Sequence, residues 1–330
     1  MRIDIHAHAL PEETMRQMQA ISKAHAPRLE RGVDSDTLVV GDFRYPKFPC
    51  GGWDTATRLE AMAKSGVDAQ AVAQPPMTFL YELDSKLALE FSQAQNEGLA
   101  RLMKQNPGKF YPLCAVPLQD PEAAAAELER AVRQLGLFGV ETGTNVAGRN
   151  LDDLMLEPFY RKLAELGCFW LIHPWQAAPM DRMGSYYMIN IVGFPLETTV
   201  AVASLIFGGV IERHPQIRVC TCHAGGFVPY QYGRFDHGFE VRAEAKAVIK
   251  KKPSEYLRAF YFDTITHSRP VLEYLVRNFG PEHVMLGTDY PFDMGVVDPV
   301  GLIGSLESTD AAGKALIEGG NAAKLLGIRA

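Results

Sequence analysis

The sequence predicts an α/β protein built as a (β/α)8 TIM barrel, on three observations. Eight short apolar, β-prone runs recur along the 330 residues, each followed by a helical pattern. No G-x-G-x-x-G follows the first run, where a doubly wound dinucleotide-binding sheet usually carries one. The composition, 47% apolar and 22% charged, is that of a folded globular chain. The whole of 1–330 reads as a single barrel domain.

The first β-run covers 2–9, where Ile3 and Ile5 lead into His6 and His8. The segment 10–65 is too long for a plain strand-to-helix connection. Within it Thr37-Leu38-Val39-Val40 and Phe43-Arg44-Tyr45 flank Gly41-Asp42, a hairpin signal. We expect 10–65 to lie as an insertion over the active-site face. The second run is 67–74, with a helix over 84–106. The third is 110–118, and Asp120-Pro121-Glu122 opens its helix because proline fits the first turn. The fourth and fifth runs, 137–144 and 168–175, precede helices over 152–166 and 198–213. The sixth is 217–224. The seventh and eighth, 260–266 and 283–290, precede helices over 270–278 and 310–326.

Lys plus Arg number 33 against 39 Asp plus Glu, a net charge of −6. With no basic stripe, neither nucleic acid nor an anionic membrane is an expected partner. The longest nearly apolar run, 200–211, falls short of the roughly 20 residues a bilayer span needs. Five cysteines without framework spacing, and a start without a secretory pattern, lead us to expect a cytoplasmic protein.

Reactive groups of such a barrel sit at the C-terminal ends of its strands. Four of the nine histidines fall there. His6 and His8 are two apart on the first strand and so face one side. His173 ends the fifth, His223 the sixth, and Asp289 closes the eighth. Burying that many polar groups is costly unless they pair or bind metal. Three imidazoles and a carboxylate suit Zn²⁺.

This constellation resembles the amidohydrolase superfamily. Further motifs are similar to one branch, the 2-amino-3-carboxymuconate 6-semialdehyde decarboxylase family. They are Trp53-Asp54, Arg58-Leu59-Glu60-Ala61-Met62, His173-Pro174-Trp175, Pro195-Leu196-Glu197-Thr198-Thr199 and His223-Ala224-Gly225-Gly226. Gly233-Arg234, Leu286-Gly287-Thr288-Asp289-Tyr290-Pro291-Phe292 and Gly320-Asn321-Ala322 continue the match. The resemblance implies His6, His8, His173 and Asp289 as metal ligands, and catalytic roles for His223 and Asp289. It also implies that Arg44 and Arg234 hold substrate carboxylates, the second lent across the interface of a homodimer or higher homo-oligomer. Trp175 and Asn190 would face the substrate.

Two-metal relatives place a carboxylated lysine at the end of strand four. Here 139–143 holds none, so one divalent ion is expected, Zn²⁺ first, with Mn²⁺ or Co²⁺ possible. The implied activity is non-oxidative decarboxylation of a carboxylated muconate-type or aromatic acid, a small-molecule carboxylate. The alternative reading of the same site is hydrolysis or hydration of a related lactone, amide or unsaturated acid. Gln176 and Asn190 stand where the family usually has aspartate and tryptophan, which bears on the identity of the acid.

Overall fold

The computed structural model describes residues 1–176 and 180–328. β1 (Ile3–His8) opens the barrel. It is followed by α1 (Glu12–Ile21), β2 (Arg28–Glu30), β3 (Asp36–Val40), β4 (Phe43–Phe48) and α2 (Thr55–Ser65). Next come β5 (Ala69–Ala73), α3 (Ser85–Gln105), β6 (Leu113–Cys114), α4 (Pro121–Arg133) and β7 (Gly139–Gly143). A small hairpin, β8 (Asn145–Val146) and β9 (Arg149–Asn150), leads to α5 (Glu157–Leu166) and β10 (Phe169–His173). The chain continues through α6 (Phe194–Phe207), α7 (Val210–Arg213), β11 (Val219–Thr221), α8 (Val228–Val241), α9 (Pro253–Tyr256) and β12 (Phe260–Asp263). It closes with α10 (Arg269–Phe279), β13 (Val284–Met285), α11 (Pro299–Gly304), α12 (Ala311–Ala315) and α13 (Asn321–Leu325).

Eight parallel strands among the described residues form the barrel. Six lie side by side in the order β6-β7-β10-β11-β12-β13, and β1 pairs with β5. Parallel bridges Gln70↔Phe110 and Ala7↔Tyr290 join the two sheets and close the ring. Ile3, Ile5, Ala71, Ala73, Leu113, Phe169, Leu171, Cys220, Cys222 and Met285 form one cluster inside it. A larger cluster packs the outer faces of the strands against the helices. Trp170 is fully buried there and donates Nε1–H to Thr142 Oγ1 at 2.8 Å.

Within 10–65, Asp54 accepts the Thr57 N–H and Gly66 ends the helix Thr55–Ser65 at φ +72°, ahead of β5. Residues 10–54 hold α1 and the antiparallel sheet β2-β3-β4, whose Leu38, Val40 and Phe48 pack with Met77, Phe91 and Ala94. The helix expected over 198–213 starts earlier, at Phe194, and breaks at Gly208-Gly209, where Gly209 takes φ +73°. The stretch Ile189–Phe207 is long and apolar enough by composition to cross a bilayer. Here its residues Ala201, Val202, Leu205 and Ile206 are buried in the outer core.

Candidate active site

β1 aims its histidines through a local irregularity. Strict alternation would put His6 and His8 on the face of Asp4, opposite Ile5. The register with β5 slips between Asp4 and Ala7: Asp4 lies opposite Gln70, but Ala7 lies opposite Val72. One extra residue on β1 therefore lets Ile5 stay inside while His6 and His8 turn into the barrel mouth. Asp4 is left outside, fully buried. It accepts the N–H groups of His6 (3.1 Å) and Thr288 (3.0 Å), Thr288 Oγ1 (2.6 Å) and Gln70 Nε2 (3.0 Å). Burial outweighs these bonds and pushes its pKa up to about 6. Gln70 in turn accepts from Arg58 Nη1 at 2.8 Å, and the buried Arg58 also donates to the carbonyls of Gly51 and His8. This network pins the end of β1 to the segment carrying Asp289.

Ligand atoms of His6, His8, His173 and Asp289 all lie within 4.8 Å of one another, and all four residues are buried. Asp289 Oδ1 is 3.2 Å from His8 Nε2, 3.3 Å from His6 Nε2 and 3.8 Å from His173 Nε2. Each imidazole is anchored through its other nitrogen. His6 Nδ1 bonds Asp263 Oδ2 (2.8 Å), His8 Nδ1 bonds the Gln74 carbonyl (3.0 Å), and His173 Nδ1 bonds the Pro174 carbonyl (2.7 Å). Those acceptors fix the proton on Nδ1 and leave the Nε2 lone pairs facing inward.

His6 Nε2 and His8 Nε2 are only 3.1 Å apart, and the buried His173 Nε2 has no hydrogen-bond partner among the described residues. Facing lone pairs and an orphaned buried nitrogen fit a shared cation, so the donor set suits one divalent ion. Electrostatics agree. Burial lowers the pKa of His8, and takes that of His173 well below its ordinary value. Burial would raise Asp289, but the charge on His6 and the surrounding imidazoles hold its carboxyl well below the usual range. His6 is held well above its ordinary value against burial, by the charge of Asp289 and its bonds to Asp263 and Asp289.

His223 stands beside this group. Its Nε2 is 3.5 Å from Asp289 Oδ2, and its side chain is 18% exposed where the other three imidazoles are nearly sealed. Its Nδ1 is buried without a hydrogen-bond partner among the described residues. His223 and Ala224 take φ +55° and +54°, followed by Gly225 and Gly226 at +78° and +61°. Such conformations cost non-glycine residues about 1–3 kcal/mol each. Glu141 on β7 is fully buried 3.6 Å from His8 Nδ1, with neither oxygen hydrogen-bonded among the described residues, and burial pushes its carboxyl well above the usual range.

A cavity of about 950 Å³ opens above His173, His223 and Asp289. Aromatic side chains wall it, among them Phe43, Tyr45, Trp175, Tyr187, Phe194 and Phe292, and Phe43 meets Trp175 edge to face at 4.8 Å. Trp175 and Asn190, expected to face substrate, both line it. Arg44 lines it too, but its guanidinium already holds Glu30 through two bonds, at 2.5 and 3.2 Å. Arg234 is not brought to this cavity. It is exposed on α8, with no partner among the described residues. Asp263 went unsuspected from the sequence. The run expected over 260–266 ends in fact at Asp263, which makes it one more polar strand end.

Fold and site together define the class. The chain belongs to the amidohydrolase family, whose model matches residues 3–328. Its relatives include several decarboxylases and, at 29% identity over 66% of this chain, the 2-keto-4-carboxy-3-hexenedioate hydratase of Sphingobium sp.. The chain is 35% identical over 99% of its length to the 2-amino-3-carboxymuconate-6-semialdehyde decarboxylase of Dictyostelium discoideum, of which it covers 92%. It superposes on the 5-carboxyvanillate decarboxylase of Sphingomonas paucimobilis with a TM-score of 0.85 and 26% identity, over 99% of each chain. A dihydroxybenzoic acid decarboxylase of Polaromonas sp. JS666, solved with manganese and the inhibitor 2-nitroresorcinol, shares the fold. Its TM-score is 0.81 and its identity 22%, over 100% of this chain and 98% of that one.

Proposed function

We propose that this chain is a metal-dependent, non-oxidative decarboxylase of a carboxylated muconate-type or aromatic acid. One observation carries the reading: three inward imidazole Nε2 atoms and Asp289 meet at the floor of an aromatic-walled cavity, with His223 beside them. His6, His8, His173 and Asp289 would hold one divalent ion, zinc by preference, although manganese and cobalt suit the same donors. When bound, that ion supplies Lewis acidity at the cavity floor.

The chain's own groups do the rest. The aromatic walls take up a flat, conjugated acid and exclude water from it. His223 sits between the buried cluster and the cavity, so it can hold a proton and hand it to the carbon that bears the carboxylate. The carbon–carbon bond then breaks, its electron pair stays with that carbon, and CO₂ leaves. Asp289 Oδ2 lies 3.5 Å from His223 Nε2 and keeps the ring facing the cluster.

Arg44 offers its guanidinium to a substrate carboxylate in exchange for Glu30, a swap that bidentate geometry favours. Arg234 is assigned to the site of a second subunit in a homodimer. Phe227 and Tyr230, 39% and 79% exposed on the same side of the chain as α8 begins, supply apolar surface for that contact.

The test is a panel of carboxyl-¹³C aromatic and muconate-type acids, followed for ¹³CO₂ and, in parallel, for hydrated or hydrolysed product. Metal-dependent ¹³CO₂ release, lost on chelation and restored by Zn²⁺ or Mn²⁺, is the expected result. Conversion without CO₂ release would refute decarboxylation in favour of hydration or hydrolysis by the same residues.

A further inference from the structure

The Asp263 carboxylate faces four donors: the His6 ring and three backbone N–H groups. It ends β12 with no exposure to solvent. Oδ2 accepts from His6 Nδ1 (2.8 Å) and from the His223 backbone N–H (2.9 Å). Oδ1 accepts from the Ala224 N–H (2.7 Å) and the Ile265 N–H (3.1 Å). One side chain thus touches a ring of the metal cluster and both left-handed residues of the turn that carries His223. Neither His223 nor Ala224 prefers a positive φ, so the turn persists only where its N–H groups have a fixed acceptor.

We propose that Asp263 is a positioning residue that sets the tautomer of His6 and the backbone of the His223 turn with one carboxylate. The inference rests on the proposed metal site and assigns it a supporting group that binds neither metal nor substrate. Through Oδ2, Asp263 holds the His6 proton on Nδ1 and leaves Nε2 free as a donor atom. Through both oxygens it draws the His223 and Ala224 amides inward, which keeps the His223 ring beside Asp289. The placement of the base and the donor set of the cluster are therefore tied together. Cys222 lies in the same group of potential ligand atoms as His6 and Asp263. Burial holds its thiol far above the ordinary range, so it offers no thiolate there.

Asp263→Asn separates the roles. An amide replaces one acceptor by two hydrogens, and all four partners are donors. The Oδ1 position faces two backbone N–H groups that cannot change their protonation. The Oδ2 position faces one such group, the His223 N–H, and an imidazole whose proton can move. The amide nitrogen therefore settles beside His6 and drives its proton to Nε2, the atom that faces the cluster.

The experiment titrates Zn²⁺ alone, against a chelating indicator, into metal-free wild type and Asp263→Asn whose folding is checked by circular dichroism. The expected result is a 10- to 100-fold weaker Kd for the variant, with one ion per wild-type chain. A Kd within twofold of wild type overturns the proposal. So does a second tight ion in the wild type, which would place a cation between His6, Cys222 and Asp263. Should the variant not fold, ¹⁵N-histidine spectra of zinc-loaded wild type decide the matter. A protonated Nδ1 on His6 supports the proposal, and a protonated Nε2 refutes it. Neither readout uses the reaction, so a failure to decarboxylate any acid would sink the proposed function and leave this inference standing.

Discussion

Replacing Gly226 with alanine tests whether the turn behind His223 is as tightly set as its geometry requires. Gly226 takes φ +61° and ψ −125°, a combination open to glycine and strained for any residue with a Cβ. A Cβ placed there would lie 2.2 Å from the Pro195 carbonyl oxygen and 3.0 Å from Thr199 Oγ1. Both belong to α6, and Thr199 is itself held, donating to Pro195 O and accepting from the Phe227 N–H, each at 2.8 Å. The neighbours have little room to give. The backbone conformation costs about 1–3 kcal/mol. The clash adds about 1–3 kcal/mol of overpacking. Gly226→Ala should therefore lower unfolding free energy by about 2–6 kcal/mol in urea titrations, and turnover should fall because His223 rides on the same turn. Gly233→Ala is the internal control. It lies within α8, a Cβ there meets nothing within 4 Å, and the change should stabilise by about 0.5–1 kcal/mol. A loss below about 0.5 kcal/mol for Gly226→Ala, the range of an ordinary surface change, with turnover unaltered, would refute the reasoning.

Three further outcomes are expected. Arg58→Met strips the donors from Gly51 O, His8 O and Gln70 Oε1 in a buried setting, so urea unfolding should show a loss of about 3 kcal/mol or more; a loss below about 1 kcal/mol contradicts the network. Because His6 keeps its proton above the usual histidine range in the metal-free protein, Zn²⁺ must displace that proton. Affinity should then rise with pH through neutrality, and calorimetry in buffers of different ionisation enthalpy should find about one proton released near pH 7; a pH-independent Kd contradicts this. Mixing inactive His223→Ala with inactive Arg234→Ala subunits should restore part of the activity, since one site of each mixed dimer has both groups; no recovery, with heterodimers demonstrated, contradicts the shared site.

The barrel was legible because each strand and helix kept its own period, and the cluster because His6, His8, His173 and Asp289 stand where a barrel strand should end. What sequence could not supply was contact between distant segments. The slip in β1 is invisible to a period of two, yet it puts Ile5 and His6 on one side. Arg44 was read as holding a substrate carboxylate, and its pairing with Glu30 was out of reach because Glu30 lies on β2, a three-residue strand with no pattern of its own. The helix Thr55–Ser65 was not read, because the capping pair Asp54 and Gly66 was not taken as the bounds of a helix. Asp263 was missed because the apolar run continues through Thr264 and Ile265, past the point where the ladder stops.

In the proposed site labour is divided: four side chains would hold one ion while His223 stays free to carry a proton. Metal content and ¹³CO₂ release, measured on a single preparation of His223→Ala, test it most directly. The predicted result is one bound ion per chain, as in wild type, with turnover lower by about 10²-fold or more. A variant that has lost its ion would make His223 a ligand, and one that keeps full turnover would remove it from the chemistry; either contradicts the account.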